Sequence, residues 1–89
     1  MDFRWNEWNL EHVPRHGLTP AEAEWVVRTA RRPFPRTIHD DKRLVWGPDS
    51  GGRLVQVIFV LDPDDAVYVI HARPLTDHEI RRYRRQARP

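Results

Sequence analysis

Eighty-nine residues, no cysteine and a formal net charge of +2 describe one small single domain. A core that small leaves little stability in reserve, so a dimer or a permanent partner is a natural expectation. The missing cysteine excludes disulfides and thiolate metal sites and suits a reducing cytosol.

The first residues, "DFRWN", alternate Phe3 and Trp5 with Asp2 and Arg4 and predict a short strand. "MDFRWNEWN" contains no apolar signal region, so the chain is expected in the cytoplasm. A short helix should follow over "NEWNLEHVPRHG", with Asn6 as N-cap and Gly17 as its left-handed stop. Its apolar stripe is poor, and Pro14 would clash with the carbonyl of Leu10, so regular helix weakens there.

"TPAEAEWVVRTARR" predicts a better helix. Thr19 caps it, Pro20 takes the first position and Glu22 the third, a capping box. Trp25, Val26 and Ala30, with Ala21 or Ala23, form its expected buried face. "RPFPRTIHDD" is broken twice by proline and reads as a loop with at most a brief extended piece.

Three strands should follow in a meander: "KRLVWG", "RLVQVIFVLD" and "AVYVIHARPL", joined by the turn-formers "PDSGG" and "DPDD". The longest apolar run, "LVQVIFVL", is strand-sized, too short to span a membrane. A second capping box, Thr76 with Glu79, opens a final helix whose only apolar stripe is Ile80, Tyr83 and Ala87. The expected architecture is α+β. Three or four antiparallel strands pack against two N-terminal helices, and an Arg-rich helix closes the chain.

Charge is unevenly spread. Val45 to Leu75 holds Arg53 and Arg73 against Asp49, Asp62, Asp64 and Asp65. From Thr76 onward Arg81, Arg82, Arg84, Arg85 and Arg88 face only Asp77 and Glu79. Cations gathered at one end favour a nucleic-acid or acidic partner. A solvated helix face accounts for most of them, yet Arg81 and Arg85 repel at i,i+4 unless an anion sits opposite.

Several ordered features resemble the BrnT family of bacterial type II toxins. They are an aromatic first strand with Trp5-Asn6 opening a helix, Arg15-His16-Gly17, and a capped helix with Glu22 and Glu24. Arg43 four residues before Gly47, Gly52-Arg53-Leu54, Ala72-Arg73, Thr76 with Glu79, and an Arg/Tyr-rich last helix complete the set. The resemblance implies a compact RelE-like fold and an endoribonuclease that arrests translation. It also implies a ribbon-helix-helix antitoxin, BrnA-like, that pairs with the toxin in a hetero-oligomer. DNA would then be met only through that complex, and no membrane partner is implied. Pro14, Pro74 and the loop from Pro33 to Asp41 depart from the family's pattern.

RNA can be cut without a metal or any cofactor when the adjacent 2′-hydroxyl attacks phosphorus. Histidine suits the two proton transfers and arginine the charge growing on the phosphoryl oxygens. Arg73 is the first candidate. Simple alternation along the last strand puts Val67, Val69, His71 and Arg73 on one face and Tyr68, Ile70 and Ala72 on the other. The competing role for Arg73 is a strand-end ion pair with Glu79 or an aspartate. Arg43 is expected to look outward or toward the site together with Val45, because Leu44 and Trp46 should face the core. An edge-protecting Arg43 is the alternative. His16 is either a helix C-terminal cap or, with His71, a proton-transfer group.

Arg15, Arg53, Arg81, Arg82 and Arg85 are candidates for the RNA backbone, with Tyr83 and Trp8 as stacking residues. Tyr83 is first a packing residue, and the four tryptophans are expected in the core, Trp8 least so. His12 and His16 have the i,i+4 spacing of metal ligands. Pro14 disturbs their helix and no third ligand is evident, so no metal is expected. Two other functions compete with a ribonuclease: a non-catalytic module that binds nucleic acid or the antitoxin, and a pairing subunit of an operon regulator.

Overall fold

The computed structural model describes residues 1–86. A single sheet of four antiparallel strands runs β1 (Arg36–His39), β2 (Lys42–Pro48), β3 (Leu54–Leu61) and β4 (Val67–Pro74), each pairing with its neighbour in sequence. Helix α1 (Glu7–His12), a 3-10 turn (Val13–His16) and α2 (Pro20–Arg28) precede it, and α3 (Asp77–Gln86) follows.

Register sorts the strand side chains onto two faces. Val45 pairs with Val57 and Val57 with Ala72, while Arg43 pairs with Phe59 and Phe59 with Val69. Partners across antiparallel strands share a face. On this face Val45, Val55, Val57, Phe59, Val67, Val69 and Ala72 are all buried. Helix α2 lies against β2 and β3, and α1 with the 3-10 turn lies against β4, so the core forms under the N-terminal helices. They and the link between them contribute Val13, Leu18, Ala23, Val26 and Val27. Each buried valine supplies about 1.5–3 kcal/mol of transfer free energy, so this layer is the main stabilising term.

The opposite face carries Trp46, Gln56 and Arg73 in one cross-strand row. Helix α3 covers that row, with Tyr83 beside Phe34 and Arg82 above Trp46. No α3 residue is fully buried. Ile80 and Tyr83 are its partly buried contacts, and Ala87, the third member of the expected stripe, lies outside the described residues.

The helix caps follow the sequence. Thr19 with Glu22 and Thr76 with Glu79 form capping boxes, and Asn6 forms another with Asn9. α-Helix gives way to the 3-10 turn at Val13, next to Pro14, and Gly17 closes it at φ 89°, a conformation glycine adopts without strain.

Four expectations need correction, and the brief extended piece allowed for in the proline-rich segment is present. The segment at Phe3 is an isolated parallel bridge to Val67, because helix α1 begins at Glu7 and leaves no length for a strand. The fourth strand comes instead from the proline-rich segment. Its Phe34 is only 6% exposed and packs on Trp46 with ring centroids 6.0 Å apart, which anchors the start of β1. Trp8 and Trp25 are each 46% exposed, and Val27 is buried in the α2 face where Trp25 was expected. Val45 is fully buried and Leu44 half-buried, so Val45 joins the core against expectation, while Trp46 is buried as expected. Simple alternation also fails along β4. Ile58 pairs with His71 and Phe59 with Val69, which leaves Ile70 as the extra residue of a bulge. His71 and Arg73 therefore stand opposite Ala72, on the face away from Val67 and Val69.

Candidate active site

The 3-10 turn ends beside the C-terminal half of β4, and this contact brings two histidines together. The rings of His16 and His71 meet edge to face with centroids 5.7 Å apart. His16 is exposed and His71 half-buried. Burial, the nearby Arg73 charge and then His16 hold the His71 imidazole below its ordinary pKa, so it is neutral at pH 7. The bulge at Ile70 sets this geometry, since it re-aims His71 just where the turn approaches.

Arg73 is next to His71 but its guanidinium is engaged. Nη1 donates to Glu79 Oε1 at 2.7 Å and to the Pro74 carbonyl at 3.0 Å. Nη2 donates to Glu79 Oε2 at 2.8 Å and to Gln56 Oε1 at 3.3 Å. A two-pronged guanidinium–carboxylate pair is the strong form of this interaction. It drives the Glu79 carboxyl down to about 2, with the backbone of Thr76 helping, and raises Arg73 further. The ion pair named as the competing role for Arg73 is thus present, and it ties β4 to the first turn of α3.

Gln56 completes the connection. It is 6% exposed and accepts from Trp46 Nε1 at 2.9 Å as well as from Arg73. Sequence reasoning passed over it. Its signal was there: it is the one polar residue inside "LVQVIFV". Buried Asn9 was also missed. Its Nδ2 donates to the carbonyls of Arg4 and Val69, and its Oδ1 accepts from the Asn6 N–H, which pins α1 to the outer edge of β4.

Arg53 reaches the same end of the molecule. Nη2 lies 3.4 Å from the Gly17 carbonyl, adjacent to His16, and Nε bonds Asp49 at 3.2 Å. Burial pushes Asp49 up, but donors from Arg53 and Gly51 outweigh it and hold the carboxyl below its ordinary range. Arg15, next to His16, meets Glu11 at 3.6 Å across solvent, a contact worth little.

Arg43 does not join them. It stands three residues from Trp46 along β2, so it faces the opposite side of the sheet from Arg73. Its Nε is buried with no hydrogen-bond partner among the described residues. Arg43, expected to look outward or toward the site, therefore does not converge with Arg73, because three residues along a regular strand reverse the face.

Arg81, Arg82 and Arg85 are exposed on α3 and form no ion pair among the described residues. Trp8 stacks on His12 with centroids 4.0 Å apart and remains partly open on α1. His12 is thereby turned to Trp8, where its Nδ1 meets the Trp8 carbonyl. Among the described residues, no helix is long and apolar enough to cross a membrane. Compared with protein-family models, curated proteins and solved structures, the chain gives no match.

Proposed function

We propose that the protein is a metal-independent endoribonuclease of the BrnT toxin kind, with a RelE-like arrangement of helices and sheet. One observation carries the proposal: two imidazoles 5.7 Å apart, one held neutral, beside a cationic end of the molecule. At that spacing they can flank one phosphodiester, each reaching a different oxygen. His71, neutral at pH 7, removes the proton of the 2′-hydroxyl. The 2′-oxygen then attacks phosphorus, the bond to the 5′-oxygen breaks, and exposed His16 protonates the departing oxygen. The products are a 2′,3′-cyclic phosphate and a 5′-hydroxyl.

Arg15 and Arg53 supply positive charge next to His16, and Arg81, Arg82 and Arg85 extend it along α3 for the RNA backbone. Arg73 acts as a positioning residue. Its charge adds to burial in keeping His71 neutral, while its bonds to Glu79 fix the strand. The same reading implies a ribbon-helix-helix antitoxin. Trp8, Leu10 and Trp25 offer exposed apolar surface on the helical layer for such a partner.

A second reading is favoured by the closed fork of Arg73: a module that binds RNA or antitoxin without cutting. Purified protein on end-labelled RNA in EDTA separates the two. Cleavage that disappears in His71→Ala and His16→Ala supports the nuclease. Salt-sensitive binding with no cleavage supports the module.

A further inference from the structure

Strand β1 pairs with β2 only from Lys42 to Leu44, so the outer edge of β2 from Val45 to Pro48 has no strand partner among the described residues. A recess of about 220 Å³ opens at this edge, between the C-terminal end of α2 and α3. Thr29, Ala30, Arg31, Trp46, Gly47 and Tyr83 line it. Gly47 gives independent evidence of the empty space. It is buried, yet a Cβ placed on it would meet no atom within 4 Å. Close-packed interiors rarely leave such a gap unfilled.

The lining selects a ligand. Trp46 and Tyr83 give aromatic walls, Ala30 and Gly47 a small floor, and the bare strand edge gives peptide donors and acceptors. The volume is below the roughly 300–1,000 Å³ of sites for drug-sized molecules, so it suits one planar ring system. Arg31 at the wall and Arg82 above Trp46 form no ion pair among the described residues and stand ready for a phosphate outside the ring. The carbonyl end of α2 carries partial negative charge, which favours a ring bearing amino donors.

We propose that this recess is a nucleobase pocket that prefers adenine over uracil. The inference rests on the RNA-binding reading above and adds a base subsite to it. Trp46 Nε1 donates to Gln56, which also accepts from Arg73, so the pocket wall connects to the strand that carries His71. The two ends of that row lie two strand spacings apart, about 10 Å, so a base held here would sit at a distance from the cut bond.

The test is a titration of the full chain, labelled with nitrogen-15, with adenosine 5′-monophosphate, uridine 5′-monophosphate and ribose 5-phosphate. The adenine nucleotide should shift the Trp46 indole N–H and the Gly47 amide, with about tenfold tighter binding than the uridine nucleotide. Ribose 5-phosphate should leave both signals in place. Gly47→Val fills the space with a residue that suits a strand, and it should weaken adenine nucleotide binding about tenfold or more at unchanged melting temperature. Arg31→Ala should weaken binding by a smaller factor and gives a second variant if Gly47→Val unfolds.

Equal shifts from ribose 5-phosphate, or undiminished binding in both variants, would overturn the pocket. RNA cleavage measured on the same preparation keeps the two proposals apart. Protein that binds the nucleotide at Gly47 but cuts no RNA retains the pocket and loses the nuclease. Protein that cuts RNA with no shift at these two signals does the reverse.

Discussion

Arg73 meets Glu79 through two bonds of 2.7 and 2.8 Å, and those bonds decide what the guanidinium can do. A phosphate cannot take the same fork without displacing the carboxylate, so in the proposed nuclease the contribution of Arg73 is positional and electrostatic. Glu79→Gln keeps an acceptor for the Thr76 N–H but removes the charge. It should lower unfolding stability in urea by about 1–2 kcal/mol at pH 7, the scale of a charge-assisted bond that is partly solvated. The pH dependence has a definite sign. Glu79 titrates at about 2 in the fold against 4.5 as its ordinary value, so its stabilisation is complete above 4.5 and fades as pH falls toward 2. Glu79→Gln should flatten that part of the stability curve, and an unchanged curve would refute the assignment. Arg43 makes the contrary case. Its buried Nε lacks a partner among the described residues, so Arg43→Met should leave stability equal or higher and cleavage within about twofold. A large loss of cleavage would return Arg43 to the site.

Among the elements, α3 has the weakest anchorage. It buries no residue completely and depends on Ile80, Tyr83 and the Arg73–Glu79 pair. Tyr83→Ala should cost about 1–3 kcal/mol, less than truncation of a fully buried aromatic. Hydrogen exchange should show α3 amides losing protection well before those of β3. Uniform loss across both would mean that the helix and sheet unfold as one unit.

Helices and strands with a strong local signal were legible in the sequence. Thr19-Pro20 with Glu22 marked the start of α2, Thr76 with Glu79 marked α3, and turn residues set the meander of β2 to β4. What failed was set by tertiary contact. Phe34 becomes core only because Trp46 lies opposite, so its proline-rich segment read as a loop with at most a brief extended piece, which β1 proves to be. The bulge at Ile70 has no mark in "VYVIHARP", since either register keeps apolar residues inward. The site divides the same way. Arg15-His16-Gly17 and His71 were picked out by residue type, but the distance between His16 and His71 depends on a turn docking against a bulge. Arg43 was misplaced because facing was assigned from Leu44 and Trp46, when the deeper core lay on the Val45 side.

At the scale of the whole molecule, charge and shape agree. The cations of α3 and the histidine pair lie toward the side of the chain where β4 ends, while the acidic turn at Asp62, Asp64 and Asp65 sits at the other end of β4. An RNA strand would therefore be drawn to one end. Its affinity should fall steeply with added salt, and replacing Arg81 and Arg85 together with alanine should reduce the slope of log K against log salt by about 1–2. An unchanged slope would place the RNA elsewhere.

The most direct measurement is the pH profile of RNA cleavage in EDTA, comparing the natural chain with His71→Ala and His16→Ala. His71 is depressed in the fold, so the acid-side loss of activity, as the base becomes protonated, should come at lower pH than an unperturbed imidazole would give. Each alanine variant should lose at least about a hundredfold in rate, with the melting temperature little changed. Equal cleavage by all three proteins across the pH range would contradict the histidine pair as the seat of the chemistry.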